Sequence, residues 1–230
     1  TTTITRQNII FNDKINETGY GIYFEGHSLP GVASSSKVTF YNDVYGIGLY
    51  HPEILYGTVT FSGIIGPSAK GIVVGSDFNE IPLRLNSKLI FSKAINGIGV
   101  YNESSALRFD KNAELIFDSG AVIMGTGVSV PDQANVIVYN SDFPILFNGP
   151  VKGTGMYINQ DDTAVKVKFN GDISGKGFAG HLGGFRGNIT FNNITSTGIG
   201  IDVMGMDHVF NVMDDTYIKF NNISTNGTAL

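Results

Sequence analysis

The chain has 230 residues, with 30 Gly, 21 Asn, 35 charged side chains, no Cys, no Trp and a net charge of -5. Spread without blocks, that charge provides neither a basic stripe for nucleic acid nor a polybasic patch for a membrane surface, so neither is an expected partner. Absence of Cys excludes disulfides and thiolate metal sites, and no apolar run reaches the roughly 18 residues that a membrane-crossing helix requires.

The predicted elements are copies of one phrase. Ile9 and Phe11 open it, and Val38 with Phe40, Val59 with Phe61, Leu89 with Phe91, Leu115 with Phe117, Ile145 with Phe147, Val167 with Phe169, Ile189 with Phe191 and Ile218 with Phe220 repeat it. An aliphatic residue two positions before each Phe is period-two alternation, the pattern of a strand with one buried face. Successive phenylalanines are 29, 21, 30, 26, 30, 22, 22 and 29 residues apart, the range in which one coil of a stacked solenoid closes.

After each Phe comes Asn12, Tyr41, Ser62, Ser92, Asp118, Asn148, Asn170, Asn192 or Asn221. Eight of these nine are small polar residues suited to bonding a neighbouring backbone group, so the strand is expected to end there. Next come paired glycines and an aliphatic residue: Gly19 and Gly21 before Ile22, Gly46 and Gly48 before Leu49, Gly97 and Gly99 before Val100, and onward to Gly198 and Gly200 before Ile201, with Gly71 keeping only the second glycine. Glycine at these points is expected to allow positive φ and close backbone approach at a corner, with a new strand beyond it.

The residues left over in each period form a third side whose length varies. Short apolar runs without helical spacing leave a helical solenoid unsupported. The expected fold is therefore all-β: a right-handed three-sided parallel β-helix of about nine coils, a single segment over 1–230, roughly 40 Å long at the usual strand spacing. Its core is expected to be a Phe ladder, an aliphatic ladder two residues earlier and another after the glycines. The last copy meets Asn226 and Gly227 and then Leu230, and Thr1 to Thr5 show no signal-peptide pattern. An uncapped solenoid end exposes strand edges, so the expectation is a piece of a longer protein, with end-to-end or edge self-association open to it.

An array of V-x-F-N and G-I-G-[IV] phrases, rich in Asn and Gly and free of Cys and Trp, resembles the β-helical passenger of bacterial autotransporters (type V secretion) over residues 9 to 227. In style it is similar to rickettsial and chlamydial surface antigens. It departs from the chlamydial F-x-x-N and G-G-A-[ILV] repeats, because Asn170 and Asn192 directly follow their Phe and the glycine pair is split. The resemblance implies export across the outer membrane, display at the cell surface, adhesion or virulence through a host-cell protein or glycan, and a membrane-inserted barrel outside this segment. It implies no cofactor.

Parallel β-helices also host polysaccharide-cleaving enzymes, and one stretch resembles the polygalacturonase series N-T-D, D-D and G-H-G. It comprises Asn140-Ser141-Asp142, Asn159-Gln160-Asp161-Asp162 and Gly180-His181-Leu182. That likeness implies Asp142, Asp161, Asp162 and His181 as acid, base and supporting groups. Register argues against it: Asp142 lies five residues before its Phe, Asp161 eight and His181 ten, Leu182 breaks the G-H-G, and Tyr217 stands where the family's R-x-K has Arg. The expectation is no catalysis.

The other motifs point to structure. Asp202, Asp207, Asp214 and Asp215 lack the G-G-x-G-x-D calcium nonapeptide, and His27, His51, His181 and His208 lack zinc spacing, so no metal site is expected. Asn16, Asn102, Asn188, Asn193, Asn222 and Asn226 begin N-x-[ST] triplets, which a bacterial source would leave unmodified. Tyrosines crowd the first half, and Tyr23, Tyr50 and Tyr101 are the binding candidates, because an aligned Tyr face stacks on sugars or docks a protein.

Overall fold

The computed structural model describes residues 3–24, 31–75, 83–103, 106–131, 135–138, 144–159, 163–181, 185–204 and 216–230. It is an all-β parallel solenoid with three sides and, among the described residues, no helix.

The phenylalanine side stacks nine strands in chain order, from Asn8–Phe11 and Lys37–Phe40 to Phe185–Ile194 and Tyr217–Ile223. Each Phe is the register partner of the next, as in Phe40 with Phe61 and Phe91 with Phe117. Ring centroids lie 4.4 Å (Phe117 to Phe147) to 5.2 Å (Phe91 to Phe117) apart, and the planes differ by 3° to 13°. That spacing is the inter-strand distance of any sheet, so backbone pairing sets the ring stack. The sequence interval has no influence: Phe40 and Phe61 are 21 residues apart and Phe61 and Phe91 are 30, yet the centroids are separated by 4.6 and 4.8 Å.

The glycine side stacks eight strands, Tyr20–Tyr23, Ile47–Tyr50, Lys70–Val74, Ile98–Asn102, Thr126–Val130, Thr154–Asn159, Lys176–His181 and Ile199–Val203. In the complete coils each begins with a half-buried residue followed by two buried ones, as in Ile47, Gly48 and Leu49. A flat strand would turn one of those two outward, so the chain bends between the glycine and the aliphatic residue. The third side runs from Thr3–Ile4 and Gly31–Val32 through Ile54–Leu55, Leu83–Leu85, Ala106–Phe109 and Asn135–Val138. The long strand Thr163–Ile173 then turns the corner and joins this side to the phenylalanine side.

Nine rungs enclose eight intervals, and 205–215 in the last lies outside the described residues. About seven turns are therefore closed on all three sides, against the nine coils expected from counting phenylalanines.

The three expected ladders are present. Val38, Val59, Leu89, Leu115, Ile145, Val167 and Ile189 are at most 1% exposed, as are Leu49, Ile72, Val100, Val128, Met156, Phe178 and Ile201 behind the glycines. A fourth ladder occupies the corner after each Phe: Ile15, Val44, Ile65, Ile95, Ile123, Val151 and Ile173, joined by single parallel bridges.

The glycine pairs work differently from the expectation. Positive φ occurs at Gly31, Gly75, Gly180 and Gly187, none of which belongs to a pair. The second glycine of each pair instead lies against the Phe of the following coil. A Cβ at Gly48, Gly71, Gly99, Gly127, Gly155, Gly177 or Gly200 would stand 2.5 to 2.9 Å from a ring carbon of Phe61, Phe91, Phe117, Phe147, Phe169, Phe191 or Phe220. The first glycine meets backbone: a Cβ at Gly46, Gly97, Gly125 or Gly175 would overlap a carbonyl oxygen of the preceding coil.

The polar residue after Phe ends the strand in the first six copies but not in the last three, where Thr163–Ile173, Phe185–Ile194 and Tyr217–Ile223 run straight through it. There the side chains bond one another between coils. Asn170 Nδ2 donates to Asn148 Oδ1 at 2.7 Å, Asn192 to Asn170 at 3.1 Å and Asn221 to Asn192 at 2.7 Å. An amide carries both donor and acceptor, so a column of Asn satisfies itself at the strand repeat and the strand has no reason to stop.

Phe91→Ala is expected to lower the free energy of unfolding by about 3–5 kcal/mol, and Gly99→Ala by about 1–3 kcal/mol through overpacking against the Phe117 ring; urea titrations check both. Asn170→Asp removes the donor to Asn148 and is expected to cost about 1–3 kcal/mol, read as a lowered melting temperature.

Candidate functional site

The outward row of the glycine side holds the tyrosines singled out from sequence. Register runs Tyr23, Tyr50, Val73, Tyr101, Ser129, Tyr157, Ala179, Asp202. Large and small residues alternate from Tyr50 onward. Val73, Ser129 and Ala179 are buried despite their outward position, each lying beside a tyrosine of a neighbouring coil. From Tyr50 onward the row is thus largely a packed wall, and only its beginning stands free.

At that beginning four rings gather. Tyr23 and Tyr50 stack at 5.0 Å and 19°, while Tyr20 meets both edge-on, at 5.5 Å from Tyr23 and 5.2 Å from Tyr50. The far face of Tyr50 lies on the His51 imidazole, with centroids 3.7 Å apart. His51 adopts φ of 53° and bends the chain into the short turn before Ile54–Leu55. It is 7% exposed, with Nε2 3.5 Å from Glu103 Oε2. Tyr50 is therefore clamped, and Tyr20 and Tyr23, 49% and 46% exposed, present the open aromatic surface.

Of the three named tyrosines the fold brings Tyr23 and Tyr50 together and leaves Tyr101 apart. Lys70 Nζ sits 3.9 Å from the Tyr101 ring centroid, a cation–π contact between adjacent coils. Two members of the cluster, Tyr20 among the crowded tyrosines and His51 among the scattered histidines, were not binding candidates from sequence. Tyr20 lies three residues before Tyr23, on the outer surface because Gly21 and Ile22 both turn inward. His51, which lacks zinc spacing in the sequence, is a buried residue of the turn.

Asp142, Asp161 and Asp162 lie outside the described residues, as do Asp207, Asp214, Asp215, His27 and His208. His181 ends the strand Lys176–His181, in register with Asn159. Asp202 is paired with Lys176 at 2.6 Å. No group of three His, Asp or Glu residues able to hold a metal ion occurs among the described residues. Of the N-x-[ST] triplets, Asn102 is fully buried in the wall, in register with Val74, which closes it to glycosylation in the folded chain, whereas Asn16 is exposed. Comparison with known protein families, with curated proteins and with solved structures finds no match.

Tyr50→Ala removes two stacked contacts and is expected to cost about 1–3 kcal/mol, from about 0.5–1.5 kcal/mol per aromatic pair. With no Trp among the chromophores and ten Tyr in the chain, the stacked cluster contributes to the tyrosine near-ultraviolet circular dichroism, whose amplitude is expected to fall in this variant.

Proposed function

We propose that this chain is a segment of an exported bacterial surface protein of the autotransporter passenger type, serving as an adhesin or display stalk that contacts host or neighbouring cells through a protein or glycan. One observation carries the reading. Among the described residues, strands pair only with those of the coil before and the coil after, through the same four ladders at each step. A rod of that kind folds without distant contacts, so each coil forms on the template of the last, which suits a chain that crosses a membrane unfolded and folds outside. Exposed Tyr20 and Tyr23 add an aromatic surface of the type that binds sugars and proteins.

The same rung-by-rung template supports growth from one end. A slip of one position in either direction sets a Phe ring against a residue that has a side chain, such as Ile47 or Leu49 on either side of Gly48, so one-residue register errors are disfavoured. The faces left over, with Thr, Lys, Asn and Ile in outward positions, are regular along the rod and suit weak multivalent contact.

Beads coated with the chain are expected to be retained by cultured host cells above uncoated beads, with soluble chain competing for the same sites. Lack of retention would remove adhesion and leave the stalk role alone. The same preparation is expected to release no reducing ends from polygalacturonate; turnover there would replace this reading by a catalytic one.

A further inference from the structure

We propose that the corner of the first three coils carries a saccharide-binding slot built around Tyr45, distinct from the Tyr20, Tyr23 and Tyr50 cluster. The slot originates in chain length. At this corner each coil runs from a ladder residue to the first residue of its glycine strand, and both ends are held in register: Ile15, Val44 and Ile65 at one end, Tyr20, Ile47 and Lys70 at the other. Between these points coil one has residues 16–19, coil two only 45–46, and coil three 66–69. The two longer connections are tight turns closed by hydrogen bonds, Gly19 N to Asn16 O at 2.8 Å and Ala69 N to Gly66 O at 3.0 Å. They project on either side of a coil that is two residues shorter.

Coil two is recessed between them. Coils four to seven have the same short connection at residues 96–97, 124–125, 152–153 and 174–175, and the long form returns at 195–198 and 224–227. Among the described residues, coil two is thus the one short corner with a long turn on both sides. The walls are two strand spacings apart, about 10 Å, which admits a pyranose ring edgewise.

Tyr45 occupies the recess. Val44 points into the core at 1% exposure, so the next residue must face outward. The ring rests on Gly66 of coil three, where a Cβ would stand 2.6 Å from the ring's Cδ1, and its hydroxyl donates to Asp43 Oδ2 at 3.4 Å. Held at both ends, it still leaves 36% of its surface open. Cavities lie to either side. One of about 380 Å³ is bordered by Lys14, Asn16, Glu17 and Thr18, the other of about 240 Å³ by Pro67 and Ser68, and both share Tyr45 and Glu17.

The lining selects the ligand class. Among the lining groups the Lys14 ammonium and the Glu17 carboxylate cancel, and the nearby Asp43 carboxylate is taken up by the Tyr45 hydroxyl and the Ile64 amide, so neither an anion nor a cation is favoured. Tyr45 and Pro67 are the apolar surface, too little for an apolar ligand, and they stand among amide, hydroxyl and charged groups that donate and accept. A fixed aromatic platform surrounded by both kinds of hydrogen-bonding group matches a neutral polyhydroxylated ring, and the larger cavity, about 380 Å³, lies within the range of about 300–1,000 Å³ seen for small-molecule sites.

The test is a titration of the isotope-labelled chain with neutral mono- and disaccharides of glucose, galactose, mannose and N-acetylglucosamine, read as amide shifts. Saturable shifts are expected at Asn16 to Gly19, Tyr45 and Gly66 to Ala69 for at least one sugar. Tyr45→Ala is expected to weaken that binding at least about tenfold. Inserting two residues between Tyr45 and Gly46, which fills the recess, is expected to abolish it. Glu17→Ala, an exposed change that leaves the coil intact, is expected to weaken it in the same direction. The proposal is overturned by an absence of saturable shifts with every sugar, or by shifts confined to Tyr20, Tyr23 and Tyr50 that persist in folded Tyr45→Ala. Because these shifts are read in solution, they stand apart from the bead result: retention without them, or the reverse, separates this slot from the surface role.

Discussion

The contact on which the structure depends is a phenylalanine ring lying where a side chain would otherwise be. Each Phe of one coil covers the second glycine of the coil before, and the ring stack and the glycine stack advance together at the sheet repeat. Parallel pairing alone fixes the rise but tolerates many registers. The ring against the bare backbone selects one of them, because a shift of one position would drive the ring into the aliphatic residue beyond. Eight ring contacts and eight glycine seats are thus a register device repeated along the rod.

Variation is confined to places where this device does not reach. Coils of different length differ on the third side, at the glycine corner and, in one coil, between the Phe and the corner ladder, where Ile123 follows Phe117 by six residues instead of the usual four. At the corner the difference is two residues or none, since the ladder residue and the first strand residue are both pinned. A two-residue change in a pinned connection has nowhere to go but outward, so relief on the rod surface is a direct reading of connection length. The recess at Tyr45 and the projecting turns beside it are one instance.

Side-chain columns on the outside follow the same logic with weaker constraint. Four successive Asn form a bonded column in the later coils, while Asn12, Tyr41, Ser62, Ser92 and Asp118 occupy that position earlier. Where the column is complete the strands lengthen to 11, 10 and 7 residues. Where it is mixed they remain at four, and Ile145–Phe147, which stops just before the first Asn of the column, has three. Ion pairs between neighbouring coils, Lys88 with Glu114 and Lys176 with Asp202, add to the same axis. All of them are local to two rungs, which is the property that suits a rod folding from one end.

By itself the amino-acid order determined the strands, their parallel stacking and three of the four ladders, because a residue repeated at a fixed offset from Phe11, Phe40, Phe61 and their successors must fall at the same point of every coil. The corner ladder was equally legible, four residues after most of the anchors, as Ile15, Val44, Ile65, Ile95, Val151 and Ile173. Tertiary structure alone decided why the glycines are there, since a one-dimensional pattern shows that Gly48 recurs but not that the Phe61 ring fills its missing side chain. It alone separated Tyr101 from Tyr23 and Tyr50, and it alone placed Tyr45 between two turns. Those facts depend on contacts between residues about 13 to 50 positions apart, whose relation exists only once the coils are stacked.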